Sequence, residues 1–459
     1  MTDHPHHDLR DLSVPTVPDD HYVGTLAHDT QVRARTFPRV TSDFAGASAA
    51  LLDRVRAALD TVGDDLVALL HRIHTLAEPA FEEVGSAAAI ADLLTGHGID
   101  VERGVGGVAT ALRAAAGPTT RADGTPARSI GILAEYDALP GIGHACGHNV
   151  IATAGVGAFL ALALAEKAAP GTLPGRVVLY GTPAEEGHGG KEHMARGGAF
   201  TDIDAAIMVH GYGYDAADQV WLGRRLLDVT FTGVAAHASA QPFMGRNALD
   251  AVNLMYQGLG VLRQQMPPID RIHAVVTEGG TRPSIITERA AMRLYVRSKF
   301  PETLGDLSSR VEDAARGAAL MTGTGVELTW DPHPATLPIR TNTALTGRWV
   351  AHERDRGRDP LAPGVLDESI AASTDFGNLS YRMPGIHPLV KVSGTEVALH
   401  TREFAEASAT PAAESAGLDG AFGLAGTALD YLADDDLAAS VHAEFEAAGG
   451  ATDVPTYFD

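Results

Sequence analysis

The sequence predicts an α/β protein: a mixed, mostly parallel sheet with helices on both faces, interrupted by a smaller ferredoxin-like βαββαβ unit. Three observations predict it. Short apolar runs at 130–134, Arg176–Gly181 and 205–209 alternate with helical segments, the pattern of strands buried on both faces of a parallel sheet. From about residue 226 the order changes to strand, helix, strand, strand, helix, strand, the split ferredoxin-like unit. After about residue 338 the earlier style returns, so the larger unit is discontinuous.

Taken in order, residues 1–45 lack sustained periodicity and read as an N-terminal tail, with His4, His6 and His7 as solvated tail histidines. Residues 46–225 and 338–435 form the larger domain, 226–337 the inserted one, and 436–459 an acidic, Ala-rich C-terminal tail. Leu51, Leu52, Val55, Leu59, Val62, Leu66, Leu69 and Leu70 recur at helical spacing across 49–76. The segment 149–167 reads as a helix with Asn149 at or near its N-cap. In the insertion, 226–232, Arg271–Glu278, 285–300 and 326–330 are strands, and 247–265 and 301–321 are helices. Beyond it, 389–392 and 397–399 are strands and 421–432 is a helix.

Composition bounds the partners. The chain has 459 residues, 45% hydrophobic and 20% charged, enough for two or three soluble domains. Its formal net charge of −23 argues against nucleic acid or an anionic membrane, since both select basic surfaces. The first twenty residues carry no apolar run like a signal peptide, and the single cysteine, Cys146, permits no intrachain disulfide. Both features suit a cytoplasmic location.

Chemistry concentrates in four places. In Gly143-His144-Ala145-Cys146-Gly147-His148-Asn149, Cys146 and His148 are two residues apart at a turn entering a helix. There a thiolate and an imidazole can converge on one ion, and the helix N-terminus favours the thiolate. A buried structural cysteine beside a turn histidine is the plain alternative. The strand Arg176–Gly181 runs into Thr182-Pro183-Ala184-Glu185-Glu186-Gly187. Two carboxylates directly after a buried strand are costly unless paired or bound to a cation. Adjacent side chains diverge, so one can ligate while the other acts as general base, the division that metal-assisted hydrolysis needs. His210 and His400 follow the apolar runs 205–209 and 397–399, at the strand ends where α/β crevices lie. One sulfur, three nitrogens and one or two oxygens suit Zn²⁺, with Mn²⁺ or Co²⁺ as substitutes.

The stretches His74-Thr75-Leu76-Ala77-Glu78-Pro79, Ala134-Glu135-Tyr136-Asp137-Ala138-Leu139-Pro140 through Asn149, Pro183–Gly187, Gly233-Val234-Ala235-Ala236-His237-Ala238-Ser239, Ser373–Gly377 and Leu399-His400-Thr401-Arg402-Glu403-Phe404 occur in this order. Together they resemble the aminoacylase and zinc-carboxypeptidase family, metallopeptidase family twenty. The resemblance is to the branch of hippurate, indole-acetyl-amino-acid and aminobenzoyl-glutamate hydrolases, most closely its Xaa-Arg dipeptidase type. It implies a metal-dependent amidohydrolase acting on N-acyl amino acids or dipeptides, with two divalent metals and a lid domain that also makes a homodimer. Carried over by position, the ligands are Cys146, His148, Glu186, His210 and His400, and the general base is Glu185. His237 would polarise the scissile carbonyl, often from the partner subunit, while Asn247 and Arg297 match lid positions that hold substrate. Asn149 stands where many relatives have Asp, and Ser284 where they commonly have Asn, which points to altered substrate contacts. Two other readings compete: a hydrolase with Cys146 as nucleophile, and a catalytically silent metal- or ligand-binding relative.

Overall fold

The computed structural model describes residues 13–121 and 123–458; the histidines at positions 4, 6 and 7 lie outside them. The strands of the larger unit are β1 (Glu102–Arg103), β2 (Leu112–Ala116), β3 (Ser129–Ala134), β4 (Arg176–Gly181), β5 (Ala205–Ile207) and β6 (His210–Tyr212). The insertion supplies β7 (Gly223–Thr232), β8 (Arg271–Glu278), β9 (Arg289–Ser298) and β10 (Gly325–Trp330), and the chain returns through β11 (Gly385–Ile386) and β12 (Leu389–Lys391). The main sheet has the order β1-β2-β4-β3-β5-β11, and β6 pairs with β12 beyond it. The pairs around β3, β5 and β11 are parallel, whereas β1 and β2 run antiparallel at the edge. This is the expected mixed, mostly parallel sheet.

The helices are α1 (His21–Thr36), α2 (Ala49–Thr61), α3 (Gly63–Leu76), α4 (Val84–Gly96), α5 (His148–Ala168), α6 (Gly190–Arg196), α7 (Ala248–Leu262), α8 (Pro301–Thr322), α9 (Thr343–Asp355), α10 (Phe376–Ser380), α11 (Arg402–Ala407), α12 (Pro411–Ala433) and α13 (Asp435–Ala447). One core joins α2, α3, α4, α5, α9 and α12 to one face of the sheet, and a smaller one places Met194, Phe376 and Leu379 on the other. Helix α5 is the axle of the main core. It is long and apolar enough to cross a membrane, yet 89% of its most apolar window is buried inside the fold. Val150, Ile151, Val156, Phe159, Leu160 and Leu162 are almost wholly buried, each contributing roughly 1.5–3 kcal/mol. Gly155 lets the helix lie against β3, since a Cβ there would sit 2.5 Å from the Leu133 carbonyl oxygen. A helix seated this firmly fixes its first turn, which carries His148.

The insertion forms its own antiparallel sheet, ordered β10-β7-β9-β8, covered on one face by α7 and α8. Leu227, Val229 and Phe231 from β7 meet Met292 and Leu294 from β9 beneath the helices. The opposite face is polar; Asp228 and Arg293 are register partners joined at 2.6 Å. The expected βαββαβ order is therefore present, with β9 starting at Arg289, four residues later than the apolar pattern suggests.

Several boundaries differ from the sequence reading. The helical pattern at 49–76 splits into α2 and α3 at Val62. Asn149 does not cap α5: the N-cap is Gly147, and Asn149 is buried with its amide donating to the Ser408 carbonyl at 2.8 Å. Residues 397–399 are not a strand; Val397 and Leu399 are apolar because they pack on the main core from a turn. Helices α1 and α13 lie where the sequence suggests tails. Helix α13 buries Leu437, Ala438, Val441 and Phe445 at helical spacing.

Candidate metal centre and active site

Four segments deliver the predicted ligands to one place. The turn 143–147 ends at Gly147, whose φ of 74° is a left-handed conformation that glycine adopts without cost, and α5 begins at His148. The His148 Nδ1–H donates to the Asp137 carbonyl at 2.9 Å, with the Asp137 carboxylate at 3.0 Å. That fixes the ring's tautomer and leaves Nε2 free to ligate. Likewise His210 Nδ1 donates to the Gly211 carbonyl at 2.7 Å, turning its own Nε2 inward. His210 begins β6 instead of closing the strand before it. His400 reaches in from the turn after 397–399, held by its backbone N–H on the Ala145 carbonyl at 2.9 Å, and its Nε2 lies 3.0 Å from Cys146 Sγ.

The loop bearing the two glutamates is held under strain. Ala184, just before Glu185, has φ of 61°, and His400 has φ of 62°. Non-glycine residues rarely sit there, at about 1–2 kcal/mol each. The buried Glu83 carboxylate secures the first: it accepts from the backbone N–H groups of Ala184 and Phe81, each at 2.9 Å, and from the Thr110 hydroxyl. Phe81 is itself left-handed. The Glu186 N–H donates to Asp137 Oδ2 at 2.9 Å, so Asp137 ties the glutamate loop to His148.

The donor atoms fall into two triads sharing one sulfur. Donor atoms of Cys146, His148 and His210 lie within 4.8 Å of one another, as do those of Cys146, Glu186 and His400. Glu185 and Glu186 group with His148 in the same way, Glu185 Oε2 standing 4.0 Å from His148 Nε2. Glu135, Glu185 and Asp375 form a further cluster beside them. His148 Nε2, Glu186 Oε1 and Glu135 Oε2 are buried with no hydrogen-bond partner among the described residues. Such orphaned atoms are costly unless something ligates them.

Electrostatics point the same way. Burial pushes Glu185 well above the usual carboxylate range, and the neighbouring carboxylates of Glu135, Glu186 and Asp375 add to it. Burial and Glu186 raise the Cys146 thiol. Against burial, Asp137 and the hydrogen bond with Cys146 push His148 up, whereas burial and His148 lower His210 to about 4. A buried thiol and crowded carboxylates beside imidazoles form a donor set suited to a divalent cation pair. The residues fit the metals that the sequence implies.

The remaining predicted residues divide. The Arg297 guanidinium donates to the Ser373 hydroxyl at 3.0 Å and, with His400, borders a cavity of about 1110 Å³. Asn247 caps α7 by accepting from the Leu249 N–H at 3.1 Å and lines a separate groove. His237 is exposed on the inserted unit, its Nδ1 accepting from the backbone N–H of Ala240 at 3.2 Å. Within one copy of the chain, His237 is not brought into the ligand groups.

Sequence reasoning passes over Glu83, Glu135, Asp137, Lys191 and Asp375. Lys191 is wholly buried; its ammonium donates to Asp375 Oδ1 at 2.6 Å and to Glu135. The available signal is position: Glu135 and Asp137 follow the apolar run 130–134, and Lys191 opens the helix after the glutamate pair. His188 and His193, also outside the ligand groups, pack against Phe81.

Residues 131–418 match the model of peptidase family M20/M25/M40. The Xaa-Arg dipeptidase of Mus musculus is 38% identical over 340 residues, covering 74% of this chain and 78% of that protein. One of the two subunits of the p-aminobenzoyl-glutamate hydrolase of Escherichia coli K12 is 30% identical over 433 residues, covering 78% of this chain and 87% of that protein. Among solved structures, a Bacillus subtilis protein described as a dinuclear metal binding peptidase of the M20 family superposes with a TM-score of 0.56 at 18% identity, over 82% of this chain and 98% of that one. That likeness is one of fold.

Proposed function

The chain belongs to peptidase family M20/M25/M40 and is a hydrolase acting on C–N amide bonds, and on that premise we propose that it cleaves N-acyl amino acids or dipeptides at a two-metal centre. The single observation that carries this reading is the pair of donor triads sharing the Cys146 sulfur. Cys146, His148 and His210 would hold one divalent cation and Cys146, Glu186 and His400 the other; Zn²⁺ suits these donors best, with Mn²⁺ or Co²⁺ as substitutes. When bound, such ions acidify water and polarise a carbonyl. A reducing, cytoplasmic compartment suits a centre whose only thiol must stay reduced.

Glu185, adjacent to a proposed ligand but outside both triads, takes the proton of the attacking water. As the water oxygen bonds to the amide carbon and the C–N bond breaks, Glu185 returns that proton to the leaving nitrogen. Lys191, bound to Glu135 and Asp375, offsets the acidic crowd behind it. Arg297 on the cavity wall is positioned for a substrate carboxylate. His237 and Asn247 would act from a partner subunit. The lid's open β8 edge, with Val275 and Val276 exposed, supports a homodimer through that domain. Similarity to a dipeptidase named for arginine, together with Glu396 and Asp367 on the cavity wall, supports a dipeptide with a cationic side chain.

A thiol mechanism has one feature in its favour, the 3.0 Å contact between Cys146 and His400. Against it, burial raises the thiol's pKa, the reverse of an activated nucleophile. Incubating the protein with N-acyl amino acids and dipeptides, with each metal supplied in turn, tests the proposal. Cleavage abolished by chelator is expected. Glu185→Gln should lower kcat by roughly 10²–10⁴ with metal content retained; unaltered turnover in that variant removes Glu185 from the mechanism.

A further inference from the structure

We propose that helix α1 is the outer wall of the substrate cavity and limits how long a substrate the site accepts. The proposal rests on the amidohydrolase reading and adds an element that lies outside the residues matched by the family model. The cavity of about 1110 Å³ is lined by His400 and Arg297 and, from α1, by residues that include His21, Gly24, Ala27 and His28. Of the residues in the donor triads His400 lines this cavity, so a group that leaves the cluster past His400 meets α1.

The helix is placed to act as a gauge. Its contact with the body is a narrow stripe: Leu26, Ala27, Thr30 and Arg33 are partly or wholly buried at helical spacing, and most of the rest is exposed. Arg33 reaches Asp367 on the cavity rim at 3.4 Å. Beyond the helix, the chain is pinned where Arg354 and Arg348 donate to the Val40 and Phe44 carbonyls, and where the Ala47 N–H meets Asp430. The C-terminal end of α1 is thus fixed, and its first two turns line the cavity. At Gly24 a Cβ would meet nothing within 4 Å, so there is room for a side chain.

Gly24→Trp tests this without threatening the fold, because glycine is the poorest helix former after proline. Gln31→Trp, exposed further along the same helix and outside the cavity lining, is the control. Two substrate series are compared in the full-length, metal-loaded protein: acyl chains from acetyl to octanoyl on one amino acid, and dipeptides whose second residue runs from glycine to arginine. Gly24→Trp should lower kcat/KM at least tenfold for the longest member of at least one series, chiefly through KM. The shortest members and the control should stay within twofold. Equal losses at every length, or none, would overturn the proposal. A readout independent of hydrolysis is alkylation of Cys146, the only thiol, in chelator-treated protein. Gly24→Trp should slow fluorescein maleimide at least tenfold relative to iodoacetamide. If the wild-type protein cleaves neither series, the amidohydrolase reading fails and the alkylation ratio alone decides the role of α1; an unchanged ratio would then overturn it.

Discussion

Lys191→Met is the substitution whose cost the structure specifies most fully. Lys191, Glu135 and Asp375 have fully buried side chains, and one ammonium serves both carboxylates. The Lys191 N–H also donates to Asp375 Oδ2 at 2.9 Å, so Asp375 loses one of two local partners when the ammonium goes. Removing one member of a buried ion pair costs about 3–5 kcal/mol, because the remaining charge is left uncompensated. Here two charges are stranded, so about 3 kcal/mol is a floor, a large share of the roughly 5–15 kcal/mol that stabilises a typical fold. Chemical denaturation followed by circular dichroism measures the loss. The triple variant Lys191→Met, Glu135→Gln, Asp375→Asn should regain at least half of it, since no buried charge then remains. Kinetics provide a separate reading. Lys191 and Glu185 favour one another's charged forms, so without the ammonium Glu185 ionises at higher pH and the acid limb of kcat/KM moves up. A Lys191→Met protein within about 1 kcal/mol of wild type would show that the triad is not the buried charge centre inferred here.

Glu353→Gln should remove a pH dependence of stability. Burial pushes Glu353 up to about 8, Arg358 opposing and Asp215 and Asp419 assisting, and neither oxygen has a hydrogen-bond partner among the described residues. Its folded pKa lies above the ordinary 4.5, so the folded state holds the proton more tightly, and stability falls as pH rises from about 4.5 to 8. This group contributes up to roughly 1.4 kcal/mol per pH unit in that window; denaturation curves from pH 5 to 8.5 should fall more steeply for wild type than for the variant, and parallel curves would contradict this. Glu83→Ala should lower kcat at least tenfold by releasing Ala184 and Phe81 from their left-handed turns, while Glu83→Gln, which keeps an acceptor, should recover most of the activity. Equal kcat in the two variants would show that the turns hold without Glu83.

Legibility in the sequence follows burial and periodicity. Strand β4 is a continuous apolar run and is readable to the residue, and the βαββαβ order of the inserted unit is plain because β7 and β9 alternate over a single covered face. Cys146, His148 and the glutamate pair are legible because polar residues interrupt or follow buried elements, where only pairing or ligation makes them tolerable. Other features carry no local signal. The pattern around His400 suggests the end of a strand, but the apolar residues before it pack from a turn, and its left-handed φ depends on a distant carbonyl at Ala145. Helix α1 is exposed on most faces and docks through Leu26, Ala27, Thr30 and Arg33, so it leaves no continuous apolar stripe. Lys191 looks like any loop lysine until folding brings Glu135 and Asp375 to it from 56 and 184 residues away.

Anomalous diffraction from crystals soaked in Zn²⁺ or Mn²⁺ tests the metal centre most directly. Two peaks are predicted, each about 2.0–2.5 Å from its donors, one among Cys146, His148 and His210 and the other among Cys146, Glu186 and His400, with the sulfur common to both. Peaks elsewhere, or none among these side chains at saturating metal, would contradict the account.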